Sequence, residues 1–337
     1  MPKTLAAAIF TMLSCVVWAT APLAVSSAEA DELNASYGAI SGTMAPIWVA
    51  KEAGLFKKQG FEFNLVYIPG GPRSIMSLLG GSIQFVNHSG LPALESYERG
   101  ADTVMIASSM NQLEHAVVAQ KNIAGVEQLR GKILGISAQG SLTDILMREG
   151  LRLNNISEKD VKIIPVGDEV GRLTALQTGR TDAVIISGIH LLTAAKMGFN
   201  EVIDFSKLPI EVSGSSILTR RSYVLSHSDI TLRFLKAWIE GVYLFKGNRE
   251  IGVGVLKKYV ASRNPELLNA IYEQHREHLA LKPTPYVRVV KSMMQLLART
   301  RPDAPAARSA EGFIEAKFIQ ELESSGFFDE MNRKYAK

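Results

Sequence analysis

From residue 33 onward the apolar positions of the chain switch between two periods. Short runs of strand length are separated by stretches in which apolar residues recur at helical spacing. Residues 33–40 predict a strand, and residues 44–58 predict a helix that Gly60 stops. Residues 61–68 alternate apolar and polar side chains, as a strand with one wet face does. Pro69-Gly70-Gly71-Pro72 predicts a turn, with a short helix following to Leu79. Strands at 83–86 and 103–107 then flank a helix at 92–99. Strands alternating with helices predict an α/β fold with parallel sheets built from βαβ units.

Residues 132–205 repeat the alternation, with strands at 132–137, 161–166, 183–187 and 201–205. Helices are predicted between them at 144–153, 169–178 and 191–197. Shifting the sequence by 98 positions brings the two stretches together without a gap. The shift pairs Gly42 with Gly140, Ile47 with Ile145, Leu55 with Leu153, Leu78 with Leu176 and Gly81 with Gly179. It also pairs Val86 with Val184, Ser89 with Ser187, Gly90 with Gly188, Leu94 with Leu192 and Gly100 with Gly198. Any two βαβ stretches share glycines at turns, but the apolar pairs extend the match and predict two equivalent lobes. The tail differs. After a strand at 214–218, Asp229 is placed as an N-cap, with Leu232, Leu235, Trp238, Ile239 and Val242 following at helical spacing. Further helices are predicted at 251–260, 266–279, 285–298 and 310–322. A tail without strands cannot build a third lobe, so it is expected to pack back on the first.

Composition narrows the function classes. The 337 residues suffice for two domains, and 47% hydrophobic with 21% charged residues is ordinary for a globular protein. A formal charge of +4, dispersed and without a basic run, argues against a nucleic-acid partner. Lys3, the apolar stretch 5–17 and the small-x-small site Ala28-Glu29-Ala30 predict a secretory signal peptide over residues 1–30, and hence a periplasmic protein. Pro22 and Ser26-Ser27 interrupt the stretch before it reads as a membrane span. The one cysteine, Cys15, falls inside this leader; Met12-Leu13-Ser14 before it makes a poor lipidation signal. The mature chain is therefore expected to have no disulfide, thiol nucleophile or cysteine-based metal site.

In an open α/β sheet, ligands bind beyond the carboxyl ends of the strands, where helix N-termini point outward. The first lobe offers Ser41-Gly42-Thr43, Arg73-Ser74 and Asn87-His88-Ser89 at that edge. The second offers Gly140-Ser141 with Thr143, then Gly167-Asp168, then Ser187-Gly188 with His190. Hydroxyls at helix starts can donate to a polar or anionic ligand, and they serve equally as ordinary N-caps. His88 and His190 fall in strand-to-helix loops, one per lobe, and His115 at a crossing between lobes. His275 and His278 lie three apart on a predicted helix; with no third ligand nearby they are read as a solvated helix face, and no metal is expected. The chain contains no G-x-S-x-G, H-E-x-x-H, G-x-G-x-x-G or Walker loop, so no catalytic residue and no cofactor is assigned, and the weight moves toward binding.

Four segments resemble a known family. Residues 46–60, running from Pro46-Ile47-Trp48 to Lys57-Lys58-Gln59-Gly60, resemble the "A-x-x-x-G-x-F-x-x-x-G" first helix of the nitrate, sulfonate and taurine binding proteins of ABC importers. Leu78-Leu79-Gly80-Gly81-Ser82-Ile83-Gln84-Phe85 resembles that family's "L-x-x-G-x-x-D" segment, with Gln84 where an acidic residue is common. Leu129-Arg130-Gly131-Lys132-Ile133-Leu134-Gly135 and Leu176-Gln177-Thr178-Gly179-Arg180-Thr181-Asp182-Ala183 resemble the corresponding second-lobe segments. The resemblance implies a type II periplasmic-binding fold: two Rossmann-like lobes, a hinge and a helical C-terminal tail. It implies crossings near 116–120 and 214–218, with residues 31–117 and 218–337 in lobe I and 118–217 in lobe II. It further implies a monomer that hands a small solute to an ABC permease in the inner membrane. Relatives take sulfonates, taurine, nitrate, bicarbonate, pyrimidine vitamin precursors or aromatic acids. The thiamine-pyrimidine synthases share the fold and are enzymes with pyridoxal phosphate, iron and a cysteine-rich motif, which a cysteine-free mature chain lacks. A receptor or sensor that binds without transport is the third alternative.

Overall fold

The computed structural model describes residues 31–301 and 308–335; the expected leader and Cys15 lie outside the described residues. Ten strands form two sheets. They are β1 (Asp31–Tyr37), β2 (Phe61–Tyr67), β3 (Phe85–His88), β4 (Thr103–Met110), β5 (His115–Ala119), β6 (Ile133–Ile136), β7 (Lys162–Pro165), β8 (Ala183–Ser187), β9 (Asn200–Asp204) and β10 (Ser215–Arg220). One sheet has the order β2-β1-β3-β10-β4 and the other β7-β6-β8-β5-β9. The strands that the 98-residue shift superposes hold the same places in both sheets: β1 with β6, β2 with β7, β3 with β8, β4 with β9.

The sheets are mixed, where alternation alone predicts parallel ones. β10 runs antiparallel to β3 and β4, and β5 runs antiparallel to β8 and β9. The reason is geometric. The parallel strands of each lobe end at the cleft. A segment that has just crossed the cleft starts at that edge and must run away from it. The chain crosses between β4 and β5 and returns between β9 and β10, so those two incoming strands are the reversed ones.

Local chemistry explains where the predicted elements break. The helix expected over 44–58 is two, Ala45–Glu52 and Leu55–Lys58, because Gly54 adopts a left-handed φ of 67°. Asp229 does not cap the helix Ser228–Gly247; it sits in the first turn, where it pairs with Arg233 one turn on at 2.8 Å. The helix expected over 310–322 is a short turn at Glu311–Phe313, a bridge from Ile314 to Met105 on β4, and a helix only at Lys317–Ser324.

Most of the tail packs on the first lobe. Phe234 stacks on Phe85 with ring centroids 3.9 Å apart, and buried Trp238, Leu235 and Val242 join Ile47, Trp48 and Val104 in one core. The helix Val287–Thr300 does more than the sequence suggested. It packs against Leu91–Glu98 of the first lobe and also against Leu142–Leu153 of the second. Its buried Val289, Val290, Met293 and Leu297 belong to a hydrophobic cluster that holds Leu94 and Ile145 together. Arg301, just past its end, bridges Glu95 at 2.8 Å and Asp144 at 2.9 Å, one carboxylate from each lobe. Among the described residues no helix is long and apolar enough to cross a membrane.

At Gly241 the tail meets backbone of the first lobe. A Cβ built there would stand 2.4 Å from the Pro46 carbonyl oxygen and 2.9 Å from Ala50 Cβ. Backbone cannot swing aside as a flexible side chain can. Gly241→Val is therefore expected to destabilise the fold by about 3 kcal/mol, read from the midpoint of urea unfolding. An unchanged midpoint would place the two helices farther apart.

Candidate functional site

A cavity of about 100 Å³ lies where the parallel strands of both lobes end. The loop after β1 contributes Gly38, Ile40, Ser41 and Thr43, the end of β2 contributes Tyr67 and Gly70, and the end of β3 contributes His88 and Ser89. The second lobe contributes Ser137, Ser141 and Thr143 after β6, Asp168, Glu169 and Arg172 after β7, and Ser187 at the end of β8. The two crossings supply a third wall: Met110, Gln112, Glu114 and His115 on the outward path, Gly214 on the return.

Eight of the residues expected from sequence line this cavity: Ser41, Thr43, His88, Ser89, Ser141, Thr143, Asp168 and Ser187. The other seven sit elsewhere. Arg73 is exposed on the helix Gly71–Leu79, and Ser74 is buried, donating to the Ile68 carbonyl at 3.2 Å. Asn87 is buried and spends its amide on Ser215, Ser216 and Trp238. Gly42 packs against His275, where a Cβ would stand 2.4 Å from Nδ1. Gly140 lines a neighbouring groove with Pro72, Glu95 and Arg301. Gly188 makes the turn after β8 with a positive φ of 52°, and His190 stands behind the wall, its Nδ1 2.9 Å from Glu169.

Several of the expected hydroxyls are committed within the protein. Ser141 accepts from Asp144 N as an N-cap and donates to the Ala138 carbonyl at 2.6 Å. Asp168 caps Glu169–Gln177 by accepting from Gly171 N at 2.8 Å. The Ser187 hydroxyl is held by Glu169.

Among the lining residues that sequence reading missed are Tyr67, Glu114, His115, Glu169 and Arg172. Arg172 is buried; its Nε donates to the Ile185 carbonyl at 2.6 Å and its Nη1 to the Gly167 carbonyl at 2.7 Å. Glu169 accepts from Ser187 N at 3.0 Å and lies 3.5 Å from Arg172. Burial would raise the Glu169 carboxyl, but the nearby His190, Arg172 and Ser187 outweigh it and hold the group at about 2. Tyr67 stacks on Tyr37 at 5.1 Å and donates to Asp168 across the cleft at 3.4 Å. The strand-end rule that found Ser89 and Ser187 applies to Tyr67 as well. Glu114 and His115 carried no such signal, because their place depends on the crossing.

His275 corrects the expectation of a solvated helix face. It is 1% exposed, its Nδ1 hydrogen bonds the Ile271 carbonyl at 2.8 Å, and its Nε2 faces Glu114 at 3.4 Å. Burial disfavours its charged form, yet Glu114 beside it raises it above the ordinary histidine value. Glu114 moves the other way: burial raises it, and His275 facing it brings it below the usual carboxylate range. Burial holds His88 and His115 down at about 4, and His88 Nδ1 accepts from Ser89 N at 2.7 Å, which puts the ring proton on Nε2.

These shifts set a pH dependence. An unfolded histidine takes up its proton near pH 6.5, whereas His88 and His115 do so in the fold only near pH 4. Between those values the unfolded chain holds more protons, so stability falls as the pH drops from 6.5 to 4. His275 has the opposite sign: its contribution is complete below the unfolded value and fades as the pH rises through its own raised one. His115→Gln is expected to remove about half of the acid-side loss. Urea titrations at neutral pH and near pH 4.5 check this, and a slope identical to the unmodified protein would count against a buried neutral His115.

Comparison with known proteins agrees with this architecture. Residues 41–248 match the family described as NMT1/THI5 like. YtlA of Bacillus subtilis (strain 168), a protein named for binding, is 22% identical over 254 residues, covering 72% of this chain and 74% of that protein. A protein of Escherichia coli (strain K12) named for binding aliphatic sulfonates is 25% identical over 281 residues, covering 82% of this chain and 84% of its own. The alkanesulfonate-binding protein SsuA of Xanthomonas axonopodis pv. citri, solved bound to MOPS, superposes with a TM-score of 0.70 at 18% identity, covering 86% of this chain and 100% of that one. Two mixed sheets in one order, a cavity between their strand ends and a match across more than half of the chain make this protein a member of the NMT1/THI5-like family, with the periplasmic-binding-protein fold.

Proposed function

We propose that this chain is the periplasmic solute-binding component of an ABC importer, taking a small polar organic solute into the interlobe cavity and presenting it to the permease. The observation that carries the reading is the cavity itself, walled by both lobes and by the two chain crossings. A solute held there touches both lobes at once. It stabilises the closed arrangement by the difference between its affinities for the closed and open forms. Hinge motion is expected at the crossings, since these are the backbone segments between the two sheets. The division into lobe I at 31–117 with 218–337 and lobe II at 118–217 belongs to the same proposal. The names of the relatives support the reading, and the E. coli and Xanthomonas proteins make sulfonates the first solute class to try.

Two measurements test it. A thermal-shift screen of protein stripped of co-purified solute, against sulfonates, taurine, nitrate, bicarbonate, pyrimidines and aromatic acids, is expected to give a saturable rise with one class. A flat response throughout, with nothing released from the protein on unfolding, would sink the reading. For the solute that binds, Tyr67→Phe is expected to weaken affinity about fivefold, by removing the hydrogen bond that the Tyr67 hydroxyl gives the Asp168 carboxylate across the cleft while keeping the Tyr37 stack. Titration calorimetry reads that change, and unaltered affinity would remove Tyr67 from the closure contacts.

A further inference from the structure

The tail segment that carries the helix Val287–Thr300 is tied to the first lobe at both ends. Before the helix, Ser108 N on β4 donates to the Pro283 carbonyl at 2.9 Å, and Ala280 N donates to the Ser109 carbonyl at 2.8 Å. After it, Glu315 N donates to the Met105 carbonyl at 2.9 Å, again on β4. Between these anchors the helix leans on Leu142–Leu153 of the second lobe. Near its start, Arg288 pairs with Glu211 on the return crossing at 3.3 Å, and Ser292 Oγ accepts from Glu211 N at 3.1 Å. The tail is thus a part of the first lobe that reaches across to the second.

The polar links made there are not those of a permanent bridge. Asp144 and Glu149 of the second lobe are buried carboxylates, and the tail meets each with an arginine: Arg301 at 2.9 Å from Asp144, Arg299 at 3.0 Å from Glu149. Breaking a buried ion pair is costly when it leaves one charge uncompensated. Here neither carboxylate is left so. Asp144 keeps Arg148 and Gly140 N, each at 2.8 Å, and Glu149 keeps Arg152 at 2.7 Å, all within the second lobe. On the opposite side Arg301 keeps Glu95 of the first lobe at 2.8 Å. A parting line between Arg301 and Asp144 therefore leaves every charge beside it with a partner.

We propose that Arg301 is a releasable latch between the lobes: its bond to Asp144 holds the second lobe against the tail, and the lobes part by breaking that bond while the bond to Glu95 stays. The inference adds a residue outside the cavity that sets the balance between closed and open forms. It goes beyond the solute-binding reading and does not require a solute, so a failed ligand screen would leave it standing.

The edge strands β2 and β7 lie at the opposite side of their sheets from β4 and β9, which lead into the crossings, so their separation reports opening. Spin labels on Glu62→Cys and Lys162→Cys, both at exposed positions on those strands, in a Cys15→Ser background, read it by pulsed electron resonance without added solute. Arg301→Gln is expected to raise the long-distance fraction at least about threefold, since a charge-assisted bond is lost from the closed form alone. Arg301→Lys keeps the charge without the two-pronged reach, and is expected to raise it by less. Arg148→Gln makes Asp144 depend on Arg301, and is expected not to raise it. Circular dichroism and urea unfolding check the fold of each variant; should Arg301→Gln not fold, Arg301→Lys decides. An unchanged distance distribution in the folded variant, even with a lowered urea midpoint, would make Arg301 a structural bridge only and overturn the latch. An equal rise in Arg148→Gln would overturn it too.

Discussion

The side-chain amide of Asn87 is the interaction on which the arrangement around the cleft depends. It sits at the end of β3, fully buried, where an unpaired amide would be costly. Its Nδ2 donates to Ser215 Oγ and to the Ser216 carbonyl, both at 3.2 Å, and its Oδ1 accepts from Trp238 Nε1 at 3.3 Å. One side chain thus ties a parallel strand of the first lobe to the returning strand β10 and to the central helix of the tail. Ser215 extends the chain of bonds by donating to the Thr43 carbonyl at 2.9 Å, which anchors the loop after β1. Ser41 and His88 on the cavity wall owe their positions to that anchoring.

The second constraint is that each sheet is completed by a strand arriving from a crossing. β5 and β10 occupy equivalent places, next to the third strand of their own sheet. The crossing segments are also bonded to each other, with Gly214 N donating to the Met110 carbonyl at 2.8 Å. The backbone joining the lobes is therefore also a wall of the cavity.

The tail adds a contact that ordinary two-lobe reasoning leaves out. Val287–Thr300 lies against helices of both lobes, and Arg301 holds one carboxylate from each. These contacts tie the tail to both sheets at once. Arg299 adds a bond to Glu149 of the second lobe at 3.0 Å. A helix whose sequence shows only an apolar stripe thus joins the two lobes at a place other than the crossings.

Hydrophobic periodicity, turn residues and the 98-residue shift determined the element order, the doubled α/β plan and the strand ends at which a cavity would form. They did so because period and turn chemistry are local properties of the chain. The same local reasoning reached Ser41, Thr43, His88, Ser89, Ser141, Thr143, Asp168 and Ser187, all of which face the cavity. It could not separate Ser141, whose hydroxyl is spent within its own helix cap, from a free donor, because capping and ligand binding call for the same residue at the same place. Nor could it assign Asn87 to the interior or bring His275 out of solvent, since both depend on partners more than a hundred residues away in sequence: Ser215 for one, Glu114 for the other. The charge of the cavity was decided only by tertiary structure, because the crossings carry Glu114 and His115 to a wall that exists only when the two sheets face each other.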